Sequence, residues 1–121
     1  LVLCTAWPIF LRHQYDIFSK ARAAENHRWY ICSNQVGHCD RGDMEYYGHS
    51  RIIDPRGRVV AEPGDGEEGL ARATIDVEAD IAKQRNTIFY TLQWRVPESY
   101  RLIADPSIYH PGNETRQGDA Q

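Results

Sequence analysis

From Phe10 to Arg28 the chain contains neither Gly nor Pro, and its apolar residues recur at helical spacing. Phe10, Leu11, Ile17, Phe18, Ala21 and Ala24 fall on one side, and Arg12, Asp16, Lys20 and Ala23 mark the other. That period predicts an amphipathic helix. Before it, the unbroken apolar run Leu1 to Cys4 predicts a fully buried strand, and Pro8 ends regular pairing. After it, Trp29 to Val36 is rich in Trp, Tyr, Ile and Val and predicts a second strand, followed by a polar loop over Gly37 to Glu45. Tyr47 to Asp54 and Arg58 to Glu62 flank Asp54-Pro55-Arg56-Gly57, in which Pro sets φ and Gly follows two residues on. This predicts an antiparallel hairpin. Pro63 to Gly69 is a Gly-rich acidic loop, Leu70 to Val77 alternates as a strand, and Glu78 to Gln84 suits a short helix. A further helical turn is predicted over Glu98 to Ile103.

Strand, helix and strand in succession suggest a crossover unit, and the remaining strands a meander. The expected architecture is α/β: a sheet with helices on its outer face, and a second sheet needed on the other. With 121 residues the chain holds one domain at most. We place that domain at 1–104 and a polar tail carrying Pro106 and Pro111 at 105–121. Because Leu1 lies inside an apolar strand already under way, the chain is expected to be a fragment whose N-terminal part is missing.

Composition narrows the function classes. The apolar fraction is 41%, the charged fraction 26% and the net charge −3, with no basic run, so nucleic acid is not the expected partner. No apolar stretch approaches the ~18 residues of a membrane span, and no signal peptide is visible. The three cysteines are an odd number, which suits a reducing cytoplasm better than a disulfide framework.

Polar residues just past the C-terminal end of a strand are where α/β sheets usually hold ligands, and Asn34 and Gln35 occupy that position. The plainer alternative is that they satisfy strand-end backbone groups. Glu25 sits near a helix C-terminus, where the macrodipole disfavours an anion. Arg22 and Arg28 lie three residues away on either side to neutralise it, and Asn26 is placed to cap the helix end. Cys32, His38, Cys39, Asp40 and His49 form a loose set without zinc-ligand spacing, so no metal site is expected. A nucleophilic Cys needs an adjacent base and an exposed, sharp position. Cys32 reads as core, Cys4 as pocket or core filling, and Cys39 as an exposed loop thiol flanked by His38 and Asp40.

Several segments, taken together, match one pattern. ARAAENHRWYICSNQVG, YYGHSRIIDPRGRVVAE and LARATIDVEADIAKQR resemble the carbon–nitrogen hydrolase, or nitrilase, superfamily. LVLCTAWP resembles the strand after that family's catalytic cysteine helix, and WRVPESY its C-terminal Arg-x-Pro-x-x-Tyr segment. The resemblance covers residues 1–103, looks closest to the amidase and carbamoylase branches, and implies the C-terminal half of a four-layer α-β-β-α sandwich. It further implies a homo-oligomer that hydrolyses small amides, N-carbamoyl compounds or nitriles. The family works through a Cys thioester with a Glu base and a Lys oxyanion stabiliser, and needs no metal or organic cofactor. All three groups lie upstream of Leu1 in the family, so no catalytic residue is assigned here and the chain alone is expected to be inactive. By position, Thr5, Ala6, Trp7, Asn34 and Gln35 are the implied substrate-pocket walls. Arg22, Glu25 and Asn26 are structural, with Glu25 implied to hold the helix to the sheet. A non-catalytic homologue or binding subunit that keeps the fold is the alternative.

Overall fold

The computed structural model describes residues 1–64 and 66–105. They fall in two compact units, 1–90 and a second beginning at Thr91.

In the first unit, β1 (Val2–Thr5) leads through a 3-10 turn at Ile9–Leu11 into α1 (Arg12–Asn26). The chain then forms β2 (Tyr30–Asn34), β3 (Val36–Cys39), β4 (Met44–Tyr47), β5 (Arg51–Ile53) and β6 (Val59–Ala61), and ends in α2 (Val77–Arg85). One sheet has the order β1-β2-β5-β6, and β3 pairs with β4 in a separate two-stranded ribbon. β1 and β2 are parallel, with Val2 opposite Ile31 and Thr5 opposite Asn34, so strand–helix–strand is the predicted crossover. β5 runs antiparallel to β2, and β6 to β5, so the predicted hairpin about Asp54–Gly57 is present.

That turn is held by Asp54. Its Oδ1 accepts from the N–H groups of Arg56 and Arg58 at 2.9 and 3.0 Å, and its Oδ2 from Arg58 Nε at 2.7 Å. Burial pushes the carboxyl pKa up, but the bonds from Arg58 and Arg56 outweigh it and the net shift is downward. Gly57, at φ 81°, passes so close to α1 that an added Cβ would stand 3.1 Å from the carbonyl of Lys20. The position therefore requires glycine on both counts.

α1 packs on β2 and β5, and the period read from the sequence is correct. The face is not. The buried residues of α1 are Tyr15, Ser19 and Ala23, whereas Phe10 in the preceding turn and Ile17 and Phe18 on the helix are 71, 61 and 51% exposed. The helix meets the sheet through Tyr15, Ser19 and Ala23, the ring of the first and the hydroxyl of the second lying against a buried arginine, Arg51 of β5, and its larger apolar stripe turns outward.

Five other expectations are corrected. β1 is not fully buried: it lies at the sheet edge with Val2 72% exposed and Cys4 exposed, because only the helix-facing side of the strand is covered. The single strand Trp29 to Val36 breaks at Gln35, and the supposed loop 37–45 is the β3–β4 ribbon. The Tyr47 to Asp54 strand is interrupted where Gly48 and His49 take φ of 71° and 56°. A Cβ at Gly48 would lie 2.9 Å from Val36 Cγ2, so the ribbon folds back on itself at a residue without one. Leu70 to Val77 alternates in sequence but has no neighbouring strand among the described residues, and Leu70 is 71% exposed.

α2 matches its prediction and is capped by Asp76, whose Oδ1 accepts from Ala79 N–H at 2.9 Å. The described part of the second unit holds 3-10 turns at Thr91–Trp94 and Pro97–Tyr100. The expected tail lies outside the described residues from 106 onward.

Candidate active-site region

The C-terminal ends of the two parallel strands bring the predicted pocket residues to one place. Thr5 ends β1 beside Asn34, which ends β2. Gln35 extends the pairing by donating its N–H to the carbonyl of Thr5 at 3.0 Å. Asn34 is 7% exposed, and both the oxygen and the nitrogen of its side chain are bonded. Oδ1 accepts the N–H of Trp7 at 2.8 Å, and Nδ2 donates to the carbonyl of Gly48 at 2.6 Å. The Asn34 backbone N–H donates to Ser50 Oγ, and its carbonyl accepts from the same hydroxyl. Asn34 therefore joins three segments: the exit from β1, its own strand end, and the link between β4 and β5. Gly48 N–H donates to the carbonyl of Gln35 at 2.9 Å, and Tyr47 N–H to that of Trp7 at 3.0 Å, which closes the junction. Trp7 is half-buried, with its ring 6.0 Å from Tyr15 and 6.1 Å from Phe18. Ala6 and Gln35 are exposed.

Arg22, Glu25 and Asn26 stand elsewhere, at the far end of α1. Arg22 Nη1 meets Glu25 Oε1 at 2.8 Å, and Asn26 Nδ2 donates to the carbonyl of Arg22 at 2.9 Å. Glu25 makes these bonds within its own helix and is half-exposed, so the pair links one helical turn to the next and not helix to sheet. The left-handed residue that ends α1 is His27, at φ 50°.

Beneath α1 lies a polar network that sequence reasoning missed. Arg51, 2% exposed, donates to Asp16 Oδ1 and to Glu62 Oε1, both at 2.8 Å. Its guanidinium lies 4.6 Å from the centroid of the Tyr15 ring. Burial pushes the Arg51 pKa down, but the bond from Asp16 and the charge of Glu62 more than compensate, so it is raised overall. Glu62 also holds His49 Nδ1 at 2.6 Å, and the His49 ring stacks on Tyr47 at 4.0 Å. Tyr15 Oη donates to the carbonyl of His49 at 2.8 Å. The available signal was Asp16 on the Tyr15–Ser19–Ala23 side of the helix, with Arg51 in register with Cys32 on β2.

Two hollows adjoin the strand ends. An open cleft of about 610 Å³ lies between the first turns of α1 and the β3–β4 ribbon. A smaller pocket of about 200 Å³ is lined by Ser33, Asn34, Ser50 and Glu67 among others. Cys32 is buried, and burial pushes its thiol up to about 11 against the downward pull of Tyr15 and Arg51. Cys4 is exposed on the edge strand, and Cys39 is half-buried at the end of β3. Among the described residues no group of three or more His, Cys, Asp or Glu side chains is arranged to hold a metal, so Cys32, His38, Cys39, Asp40 and His49 are not gathered into a site.

The model of the carbon–nitrogen hydrolase family matches residues 4–84, which run from within β1 through most of α2. The chain belongs to this family. It is 40% identical to the 2-oxoglutaramate amidase of Bacillus subtilis over 88 residues, which is 73% of this chain and 32% of that protein. It is 33% identical to the deaminated glutathione amidase of Mus musculus over 94 residues, 76% of this chain and 27% of the relative. The carbon–nitrogen hydrolase from Helicobacter pylori G27 has the same fold: its crystal structure superposes with a TM-score of 0.71 at 18% identity, covering 87% of this chain and 41% of that one. The nitrilase-like mixed α/β architecture is therefore established for the part this chain supplies. The chain spans about a third of the length of the curated relatives it matches.

Proposed function

We propose that residues 1–104 form part of an amidase-type hydrolase of non-peptide C–N bonds and supply walls of its substrate pocket. The Cys nucleophile, Glu base and Lys oxyanion stabiliser of that mechanism belong to polypeptide outside residues 1–121. Attack of the Cys on an amide or N-carbamoyl carbon expels ammonia or the amine, and attack on a nitrile carbon gives a thioimidate that takes up water and releases ammonia. The resulting thioester (a thiocarbamate for the N-carbamoyl substrate) is then cleaved by water, which frees the thiol. The observation that carries this reading is the Asn34 junction at the ends of β1 and β2. It fixes the Thr5–Ala6–Trp7 loop at the sheet end where ligands are usually bound, in a chain of the carbon–nitrogen hydrolase family.

Two bare surfaces support the same reading. The sheet face away from α1 carries Val2, Ile31 and Ile52 in register, and α1 turns Ile17 and Phe18 outward. We assign the first to the partner sheet of the four-layer sandwich and the second to a homo-oligomer contact. Three free thiols suit a cytoplasmic setting. Among the described residues no helix is long and apolar enough to cross a membrane, and neither membrane nor nucleic acid is a proposed partner.

The test is release of ammonia from small ω-amides, N-carbamoyl compounds and nitriles. Residues 1–121 alone are expected to give none, and a longer protein that joins them to an upstream Glu–Lys–Cys set is expected to turn over. Turnover by residues 1–121 alone would overturn the placement of the catalytic groups. An intact set without turnover on any of the three classes would favour a binding subunit.

A further inference from the structure

The open cleft between α1 and the β3–β4 ribbon is lined by two basic residues of α1, Arg12 and His13, that pair with no carboxylate among the described residues. At about 610 Å³ it falls within the range that small-molecule sites occupy. Its α1 wall carries Arg12, His13 and Asp16, its ribbon wall carries Glu45, and His49 enters from the link after β4. Three of these five groups are already engaged. Asp16 is held by Arg51 at 2.8 Å and accepts from Tyr47 Oη at 3.3 Å. His49 is held by Glu62 at 2.6 Å. Glu45 Oε2 faces the His38 ring at 3.4 Å.

Arg12 and His13 differ. Among the described residues neither side chain makes a hydrogen bond or an ion pair, and both residues line the cleft. Asp16 faces Arg51, which it shares with Glu62, and Glu45 faces His38, which it shares with Asp40 and Asp43, whereas no carboxylate among the described residues pairs with Arg12 or His13. An anion entering the cleft would meet a guanidinium able to form two parallel bonds to a carboxylate, with an imidazole beside it. The apolar walls offered by Ile9 and Val36 give a short carbon chain somewhere to lie.

We propose that this cleft binds a small organic carboxylate, with Arg12 as the principal anchor and His13 as the second donor. The proposal concerns equilibrium binding by this chain's own residues and stands apart from the hydrolase reading, since it needs no catalytic group. A carboxylate with a carbon chain is favoured over inorganic phosphate because the apolar walls contribute only to the former.

The experiment is titration of the 121-residue chain with glutarate, followed by calorimetry and by amide shifts in a ¹⁵N–¹H spectrum, with glutaramide and inorganic phosphate titrated in parallel. Saturable glutarate binding is expected, with shifts concentrated in residues 9–16 and 36–47, no response to uncharged glutaramide, and weaker binding of phosphate. Arg12→Gln is expected to weaken glutarate binding about tenfold or more, and His13→Gln by less. Both side chains are exposed, so the variants should keep the parent's dispersed spectrum. Absence of saturable binding overturns the proposal, and so does equal binding by Arg12→Gln and the parent. Phosphate binding as tight as glutarate would overturn the assignment of the apolar walls and leave an oxyanion site. Activity is not among the readouts, so failure here leaves the amidase reading untouched, and failure of the amidase assay leaves this one untouched.

Discussion

The two faces of the main sheet differ in kind. The side under α1 is buried and sets Arg51 and Asn34 among the apolar Cys32 and Ile53, with Asp16 of α1 bonded to the arginine. The opposite side is open, yet it presents Val2, Ile31 and Ile52 in register. Buried charge is tolerable only where it is paired and hydrogen-bonded. Here every buried side-chain nitrogen and oxygen among the described residues has a partner. Exposed apolar residues standing singly are ordinary, but a register-matched row on one sheet face is a surface made for covering. The helix side is held by specific, directional bonds, and the bare side waits for non-directional burial. Substitutions on the two should therefore behave differently.

The largest effect is expected at Arg51. Arg51→Met removes the shared partner of Asp16 and Glu62 and leaves two carboxylates facing the helix–sheet seam. A loss of about 3 kcal/mol is expected in urea denaturation, at the low end for a broken buried pair because both carboxylates keep some solvent contact. A loss below about 1 kcal/mol would show that the network does not hold α1 down. Next comes Asn34→Ala, which frees the Trp7 N–H and the Gly48 carbonyl at once and is expected to cost about 2 kcal/mol. Within a full hydrolase the same change should lower kcat as well as raise KM, because the loop moves and not merely a contact. A pure KM effect would return Asn34 to the role of a simple pocket wall.

Asp54→Asn is expected to cost about 1–2 kcal/mol near neutral pH. The folded carboxyl titrates below its unfolded value near ~3.9, so its contribution is complete above about pH 5 and is lost as pH falls through the folded value. Urea midpoints of parent and variant should therefore converge on acidification. A constant gap from pH 6 to pH 3 would remove the ionised carboxylate from the explanation. The smallest effects are expected at Val2→Thr on the bare face and at Glu25→Gln in the exposed helical pair, each within about 0.5 kcal/mol by thermal unfolding. A larger loss at Val2 would mean that the open face is already covered in solution.

What the sequence discloses follows from the range of the interactions involved. The helix period, the Asp54–Gly57 turn and the polar strand end at Asn34 are local patterns, and each was legible. The buried face of α1 was not, because Ser19 is polar and Ala23 small, and the hydroxyl of Ser19 lies against Arg51, whose partner Asp16 is 35 positions away. The β3–β4 ribbon was hidden for a different reason. A glycine at φ 83° sits inside β3, and the polar Asp40–Asp43 turn parts two strands of only four residues, so no alternation marks the ribbon. At the candidate site the position of Asn34 could be read, but its bonding could not. Trp7 and Gly48 lie 27 and 14 residues away, and nothing local announces them.

The Asn34 junction also works as a spelling rule. One short side chain must accept from a main-chain N–H on one side and donate to a main-chain carbonyl on the other. Aspartate can accept there but, when ionised, cannot donate; serine is too short to span both; glutamine adds a methylene where the site is closed. Any chain that folds its second strand end in this way is thus constrained to write asparagine at that place and a residue tolerant of positive φ about 14 positions later. That pair of letters can be looked for in an unread sequence before any coordinates exist.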